Sequence, residues 1–299
     1  MSVRITGQMM TSRVMEDLRT AQTRMARTQQ EVSSGKRINQ ASDDALGANT
    51  AVRARAELAG LDKDRDSVAG ATSWVSATDS ALSDIADVMH RVKELTLKAA
   101  NSSTTNSGRA SIGQELAQLI QTVKDSANAK VGDTYVLAGT ATTTPPYAPG
   151  AVDTYAGDTG VIARSIGPGV SVAVNTTADT VLGSGGADGK LLSTLRTIQA
   201  HLAANDVASL GTTDLAGLDA NLDTLTGVQA TVGATQNRLD AADSRLTAAL
   251  GVANDVLDGA EGADLAESIV ALNAQSAAYT AALKTSANVM QPSLLDFLR

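Results

Sequence analysis

The sequence predicts a mainly α protein: a bundle of long helices with a coiled-coil pairing of the N- and C-terminal helices and a small inserted β domain. Apolar residues recur along most of the chain with a period of about 3.5 residues, which is typical of helices that bury a narrow seam. Aromatic residues are only 2% of a chain that is 43% hydrophobic, which favours close helix packing. Prolines and tyrosines concentrate between residues 131 and 170, which excludes a continuous helix there.

Both ends of the chain predict a helix with a thin, partly polar seam. The N-terminal helix is expected over residues 3–32, and the C-terminal helix begins near Asp264. Two such helices are most simply interpreted as an antiparallel pair, because neither seam is strong enough to hold a helix alone in water. The seams are Val14, Leu18, Ala21, Met25, Thr28 and Val32 at one end, and Leu265, Ile269, Leu272, Ser276, Tyr279, Leu283, Ser286 and Met290 at the other.

The helices of the middle region are predicted between clear interruptions. Gly35 can stop the first helix, and Ser42 or Asp43 can cap the next one. That second helix is expected from about Ala45 to Ala100, roughly 80 Å long. A third helix returns after a polar turn and ends near Ala129. Helical periodicity resumes at Leu191 and continues to Val256, before a glycine-rich break at residues 258–264.

Between the third helix and Leu191 the sequence predicts short strands. Four of the five prolines and three of the four tyrosines lie in residues 131–170. Two alternating runs, residues 162–166 and 170–174, flank a Gly-Pro-Gly turn and indicate a hairpin. We therefore predict three domains: residues 1–44 with 259–299, residues 45–140 with 188–258, and residues 141–187.

The last residues of the chain predict a contact with other molecules. Pro292 is expected to end the helix near Gln291. The segment that follows would expose three leucines and the only Phe of the chain. Together with the helix seams, it gives a candidate assembly interface: Val14, Leu18, Met25, Val32, Leu265, Ile269, Leu272, Tyr279, Leu283, Met290, Leu294, Leu295, Phe297 and Leu298.

No catalytic, cofactor-binding or metal-binding constellation is predicted. His90 and His201 are isolated, and Asp43 and Asp44 stand where helix caps stand. The chain has no cysteine, which excludes disulfides and thiolate chemistry. A net charge of −8 argues against nucleic acid, and no apolar run is long enough for membrane insertion. Without a membrane-spanning segment or a cleavable secretory signal, the sequence at this point indicates a cytoplasmic protein.

Residues 4–37 leave two interpretations open. They contain seven Lys or Arg and three acidic residues. Such a basic face suits a membrane surface or another anionic partner. Its apolar face is thin, so pairing with the acidic remainder of the molecule, or with other copies of it, is the favoured interpretation.

Several blocks of sequence resemble the bacterial flagellin family. Residues 33–39 and 42–45 resemble its N-terminal block, while Val232 to Leu239 and Ser293 to Leu298 resemble its C-terminal blocks. Within that family, Arg4 to Met10, Gly132 to Thr140 and the short β insert are similar to the subunits that join the hook to the filament.

The resemblance implies an extracellular structural subunit of the flagellum rather than an enzyme, and it replaces the cytoplasmic assignment. It implies export through the flagellar type III pathway and terminal helices that order on assembly. The implied partners are other copies in a ring, the other hook-associated junction protein, filament flagellin, and an export chaperone at the C-terminal helix. Two alternatives stay open: a short filament-forming flagellin, and a cell-surface protein that recognises polysaccharide through its β insert.

Overall fold

The computed structural model describes residues 7–150 and 152–290, and it confirms the predicted fold class. Seven α-helices and two small antiparallel sheets lie in the described residues. The long helices are α1 (Gly7–Ser34), α2 (Ala45–Ala100), α3 (Asn106–Ala127), α4 (Leu191–Ala204), α6 (Leu215–Glu261) and α7 (Leu265–Met290). The short helix α5 (Val207–Ser209) and a π-helical turn (Leu210–Asp214) connect α4 to α6.

The chain forms two compact units. The terminal unit contains Met1–Gly60 and Leu250–Arg299, and the central unit contains Leu61–Ala249. The β insert predicted at residues 141–187 belongs to the central unit in this division. The three-domain division given above stays a prediction.

The central unit has a hydrophobic core built from four helices. Two exposed ion pairs join these helices: Arg91 of α2 pairs with Glu115 of α3, and Lys93 of α2 pairs with Asp219 of α6. Helix α3 also packs directly against α4. The core is nearly free of aromatic rings, as the composition predicted. Its fully buried side chains include Leu82, Ile85, Met89, Leu116, Ile120, Leu191, Leu192 and Leu195.

The β region is held by two short hairpins. Strands β1 (Lys130–Val131) and β2 (Thr134–Tyr135) pair with each other, as do β3 (Ala163–Gly167) and β4 (Val170–Ala173). The register between β3 and β4 shifts after Ser165, where the chain turns through the predicted Gly-Pro-Gly. Gly169 has φ +72° there, a left-handed conformation that favours glycine.

A buried lysine fixes the loop that links β2 to β3. Lys124 of α3 is completely buried, and its Nζ donates to the carbonyl oxygens of Gly150 at 2.8 Å and Val152 at 2.6 Å. Its charge is balanced by Asp153, 2.6 Å away, which also accepts from Arg196 of α4. Burial alone raises the pKa of Asp153, but the hydrogen bonds from Arg196 and Lys124 hold that pKa below its usual value.

The two tyrosines of this loop pack beside that network. The Tyr147 hydroxyl donates to the Gly183 carbonyl, and the Tyr155 hydroxyl donates to the Leu137 carbonyl at 3.0 Å. Burial, followed by the negative charge of Asp179, raises the pKa of both hydroxyls. Lys124 therefore ties the loop to α3, and Tyr147 ties it to the turn that precedes α4, without any disulfide.

Two boundaries predicted from the sequence are corrected. The break expected at 258–264 is shorter, because Gly262 N–H bonds to the Asp258 carbonyl at 2.7 Å and α6 continues to Glu261. The cap expected at Ser42 or Asp43 is Asp44, whose Oδ1 accepts from the backbone N–H of Leu46 and of Gly47. Across the part of the chain that the structure describes, no helix is long and apolar enough to cross a membrane.

Candidate assembly interface

In the terminal unit, helix α1 turns one line of side chains towards α7. The predicted seam is shielded along its length: Val14, Leu18, Met25 and Val32 are half-buried, and Thr28 is only 7% exposed. Helices α1 and α7 pack against each other, as predicted from the two thin seams. The remaining surface of α1 is polar and largely exposed.

The structure corrects the predicted seam of α7. Leu272 and Tyr279 are half-buried and Ser286 is buried, as predicted. Ser276 is exposed, however, and Leu265, Ile269 and Leu283 are 48%, 47% and 43% exposed. The shielded positions that the sequence did not single out carry small or polar side chains: Ser268, Ala271, Gln275 and Ala282. Ser268, Gln275 and Ala282 form one line along α7, and Leu265, Ile269 and Leu283 form another. Successive residues of an α-helix are rotated by about 100°, which puts the two lines roughly 90° apart around the helix axis.

Because of this rotation, α7 carries an apolar stripe that α1 leaves exposed. We call Leu265, Ile269 and Leu283 the α7 stripe. Val270 is 69% exposed as well, but it lies about 100° or more around the helix from the stripe. Full burial of a large aliphatic side chain stabilises a protein by about 1.5–3 kcal/mol. The three side chains of the stripe are exposed and lack much of that stabilisation. The α7 stripe is therefore a surface whose burial by another molecule would be strongly favourable.

The contact between α1 and α7 is also loosely packed. A cleft of about 260 Å³ lies between them, lined by Val14, Leu18, Ala282 and Ser286 among others. Gln275 Oε1 is buried without a hydrogen-bond partner among the described residues. A buried polar atom without a partner costs about 1–3 kcal/mol, so the pair is only weakly stable as it stands.

The opposite end of the helix pair is held by an ionic cluster around Glu261, which we call the clasp. The Glu261 side chain is 7% exposed and accepts from Lys36 Nζ at 2.8 Å and from the Arg55 guanidinium. Two backbone bonds close the same junction: Arg37 N–H to the Glu261 carbonyl at 2.7 Å and Ala263 N–H to the Gly35 carbonyl at 3.1 Å. The clasp joins the turn after α1 to the turn before α7.

Charge and backbone geometry both stabilise the clasp. Burial by itself raises the pKa of Glu261, but the hydrogen bonds from Lys36 and Arg55 outweigh it and hold the pKa below its usual value. Gly35 ends α1 with φ +69°, the left-handed conformation in which helices commonly stop at glycine.

The two adjacent carboxylates of the turn between α1 and α2 have structural roles. Asp43 Oδ2 accepts from the backbone N–H of Gln40 at 2.9 Å and of Asn39 at 3.1 Å, and these bonds lower its pKa. The pKa of Asp44 is lowered first by its bond from Gly47 N–H, which is the capping interaction itself. Capping, which the sequence favoured over a catalytic carboxylate pair, accounts for Asp44.

Five of the predicted interface residues cannot be placed. Leu294, Leu295, Phe297 and Leu298 lie outside the described residues, as does the side chain of Met290. The assignment of the whole predicted set to an assembly interface stays a prediction.

Sequence reasoning missed Glu261 and Gln275. Glu261 stands in a glycine-rich segment that was interpreted as a break, and its partners lie more than 200 positions away in the chain. Gln275 gave a signal: it follows Ala271 by four positions and precedes Ala282 by seven, so it belongs to a second, small-residue line on α7.

The titratable residues show no arrangement for catalysis in the described part of the chain. His201 Nδ1 lies 2.8 Å from Asp214 Oδ2 beside the π-helical turn, while His90 is exposed on α2. No group of three or more His, Asp or Glu that could hold a metal ion occurs in residues 7–150 and 152–290.

The chain is similar to flagellar proteins in sequence. Residues 5–142 match the family model of the bacterial flagellin N-terminal helical region. The flagellar filament 30.7 kDa core protein of Treponema maltophilum is 27% identical over 280 residues, which are 89% of this chain and 90% of that protein. Alignments with seven other flagellar filament core proteins and flagellins span between 23% and 35% of each of them.

Solved structures share the fold at low sequence identity. FlgL of Bacillus cereus has a TM-score of 0.58 and 19% identity, and covers 70% of this chain and 99% of its own. The flagellar junction protein FlgL of Legionella pneumophila has a TM-score of 0.59 and 16% identity, and covers 72% of this chain and 100% of its own. The resemblance to the bacterial flagellin family that was noted in the sequence is confirmed.

Proposed function

We propose that this protein is a structural subunit of the bacterial flagellum that joins the hook to the filament and completes the folding of its terminal helices on assembly. The observation that carries the proposal is the α7 stripe, which stays exposed while α7 turns small and polar side chains towards α1. A helix pair with an exposed apolar stripe and an unsatisfied Gln275 gains most of its stability from neighbours.

The predicted interface residues divide into two roles under this proposal. Val14, Leu18, Met25 and Val32 of α1, with the half-buried Leu272 and Tyr279 of α7, hold the two helices together within one subunit. Leu265, Ile269 and Leu283 contact neighbouring subunits, and Met290, Leu294, Leu295, Phe297 and Leu298 extend that contact. This division explains why Leu265, Ile269 and Leu283 do not face α1.

The junction role is supported by the fold shared with FlgL and by the short β insert. It brings with it a ring of identical subunits, contacts with a second hook-associated protein and with filament flagellin, and a chaperone at the C-terminal helix during export. The site of action is then the extracellular flagellum. A purely structural role needs no catalytic residue or cofactor.

A filament-forming flagellin is the second candidate. It is favoured by the alignment over 89% of this chain with a filament core protein. Purified full-length protein separates the two: a junction subunit is expected to add to the end of a hook without growing further, whereas a filament flagellin polymerises into long filaments. Electron microscopy of the products, with and without isolated hooks, measures the difference.

The proposal as a whole is tested in a strain lacking the gene. The triple variant Leu265→Gln/Ile269→Gln/Leu283→Gln should be exported but should fail to restore swimming, because it removes the apolar area of the α7 stripe. The matched control is Val161→Gln, since Val161 is 69% exposed in the central unit and should tolerate the change. Full motility of the triple variant would contradict the proposal.

A further inference from the structure

A pocket opens beside the clasp, on the side of the turn between α1 and α2. Its volume is about 280 Å³, larger than the roughly 150 Å³ cavity that takes up a benzene ring in other proteins. Apolar side chains form much of its wall, including buried Ile38 and Ala51, and Val52 at its edge is 61% exposed. The residues that line it are Lys36, Ile38, Asn39, Gln40, Ala41, Ala48, Ala51, Val52, Arg55 and Glu261.

The pocket carries an excess positive charge. Lys36 and Arg55 contribute two positive charges to the lining, and Glu261 contributes one negative charge. The other lining residues are uncharged. A ligand that combines an aromatic or aliphatic anchor with a single carboxylate would therefore match both the wall and the net charge.

One segment of this chain has that chemistry. Ser293 to Arg299 reads Ser-Leu-Leu-Asp-Phe-Leu-Arg, with the only Phe of the sequence directly after the segment's one acidic residue and two positions before its one basic residue. Large aromatic side chains seated in pockets are the usual energetic centre of an interface. Phe297 supplies the anchor, and Asp296 supplies the single negative charge.

The segment cannot reach the pocket of its own molecule. α7 runs for 26 residues away from the clasp, which is about 39 Å of helix. The eight residues from 291 to 298 span at most roughly 28 Å when fully extended. An occupant from the same chain is therefore excluded by length, and a second copy is needed.

We propose that the pocket beside the clasp receives the segment Leu294 to Leu298 of a second copy of this chain, with Phe297 as the anchor and Asp296 facing Lys36 and Arg55. This inference deepens the proposed function and rests on it, because it names the surface through which the C-terminal segment joins subunits. It also gives the clasp a second role. Glu261 positions Lys36 and Arg55 at the pocket but neutralises only one of their two positive charges, so the other can pair with Asp296 of the second copy.

Cross-linking tests the contact directly, since the native chain has no cysteine. Two differently tagged full-length variants, Gln40→Cys and Leu298→Cys, are mixed under oxidising conditions, both as concentrated purified protein and in flagella of a strain that expresses the two. The expected product is a disulfide-linked pair carrying both tags. The matched control pairs Leu298→Cys with Val252→Cys, because Val252 is exposed in the same unit but does not line the pocket.

Charge reversal tests the chemistry of the contact. Val52→Glu places a like charge against Asp296 and should lower the yield of the Gln40–Leu298 cross-link about tenfold, equivalent to about 1.4 kcal/mol. Adding Asp296→Lys to every copy should restore the yield. Val252→Glu is the matched control and should leave it unchanged.

The outcomes separate this inference from the proposed function. If motility is restored but the Gln40–Leu298 cross-link does not form, the inference alone is overturned. The same holds if Val52→Glu and Val252→Glu change the cross-link yield equally. A disulfide from Leu298→Cys to a different protein only would also overturn it. Cross-linking of purified protein that never restores motility would support the contact and contradict the flagellar role.

Discussion

The two units of this molecule place their apolar residues in opposite ways. Among the described residues, the buried hydrophobic side chains of the terminal unit are Ile38, Ala51, Ala54 and Ala253, and all others lie in the central unit. Most of the large hydrophobic side chains that are exposed belong to the terminal unit instead: Met9, Met15, Leu46, Val52, Val252, Val256, Leu265, Ile269, Val270 and Leu283. We propose that a unit with this distribution completes its core by assembly with other subunits.

The central unit shows what the terminal unit lacks. It satisfies even a buried charge, since Lys124 is balanced by Asp153 and by loop carbonyls. Buried polar atoms without a partner occur in both units of the described chain: Gln275 Oε1 in the terminal unit, and Trp74 Nε1 and Asp179 Oδ1 in the central unit. The difference between the units therefore lies in their apolar cores. We infer that the central unit is stable in the isolated chain and that the terminal helices become stable only when they pack against neighbouring subunits.

The largest effect should come from Lys124→Ala. The change removes the buried charged donor of the loop carbonyls and one of the two cations that pair with Asp153, leaving Arg196 as the other. Breaking a buried ion pair in this way costs about 3–5 kcal/mol. Urea unfolding followed by circular dichroism measures the loss. Lys93→Ala is the control, because its pair with Asp219 is exposed and should change stability by about 1 kcal/mol or less. Similar losses in the two variants would contradict the role assigned to Lys124.

Leucine truncation compares the two units directly. Leu195 is fully buried in the central unit, so Leu195→Ala should lower the free energy of unfolding by about 2–5 kcal/mol. Leu18 is only half-buried on α1, so Leu18→Ala should cost about 1 kcal/mol or less in the unassembled chain. Equal costs in the same urea titration would mean that α1 belongs to a stable core.

The clasp should respond to acid. Its carboxylate has a folded-state pKa below the usual 4.5, so the stability it contributes is present above pH 4.5 and is lost as pH falls through the lower folded-state pKa. The amide resonances of Arg37 and Ala263 should shift together in that range. Glu261→Gln should show the shifted resonances at neutral pH, with a cost of about 1–3 kcal/mol to the terminal unit.

The control for the clasp is Glu57→Gln. Glu57 is exposed on α2, so removing its charge should leave both resonances in place. Resonances that move equally in Glu57→Gln would assign the acid response to general charge effects.

The smallest effect is expected from Gln275→Leu. The change removes the buried oxygen without a partner and should stabilise the α1–α7 pair by about 1 kcal/mol. Protection of α7 amides from hydrogen exchange in the unassembled chain measures it. Gln29→Leu, on the exposed side of α1, should change nothing. A loss of protection in Gln275→Leu would show that its side chain has a stabilising partner.

Much of the fold could be predicted from the sequence because helix period and interruptions are local signals. α2 begins and ends at the predicted residues, Ala45 and Ala100, since its seam is unbroken and a polar turn follows. The hairpin of β3 and β4 lies within one residue of the predicted runs. Composition also predicted a core nearly free of aromatic rings.

The orientation of α7 could not be predicted in the same way. Its sequence contains two sets of residues at helical spacing, one with large side chains and one with small side chains. A prediction based on apolar periodicity takes the large side chains as the buried face. The structure turns the small line towards α1, because Ser268, Ala271 and Ala282 allow close approach. We propose that neighbouring subunits cover the line of large side chains.

Electrostatic contacts between residues far apart in the chain could not be predicted from the sequence either. Lys124 follows Ile120 by four positions, so its place on the buried line of α3 was visible, but its partners are carbonyls of a loop 24 to 28 residues later. Glu261 meets Lys36 and Arg55 only after the chain has returned from the central unit. No local pattern encodes such a pairing.

Hydrogen exchange of the full-length protein, before and after assembly, tests the central claim most directly. In the unassembled chain, amides of α3 and α4 should exchange with the free energy of global unfolding, while those of α1 and α7 should exchange far faster. After assembly, α1 and α7 should become as protected as α3. Protection of α1 and α7 equal to that of α3 before assembly would contradict the claim that the terminal helices complete their folding with neighbours.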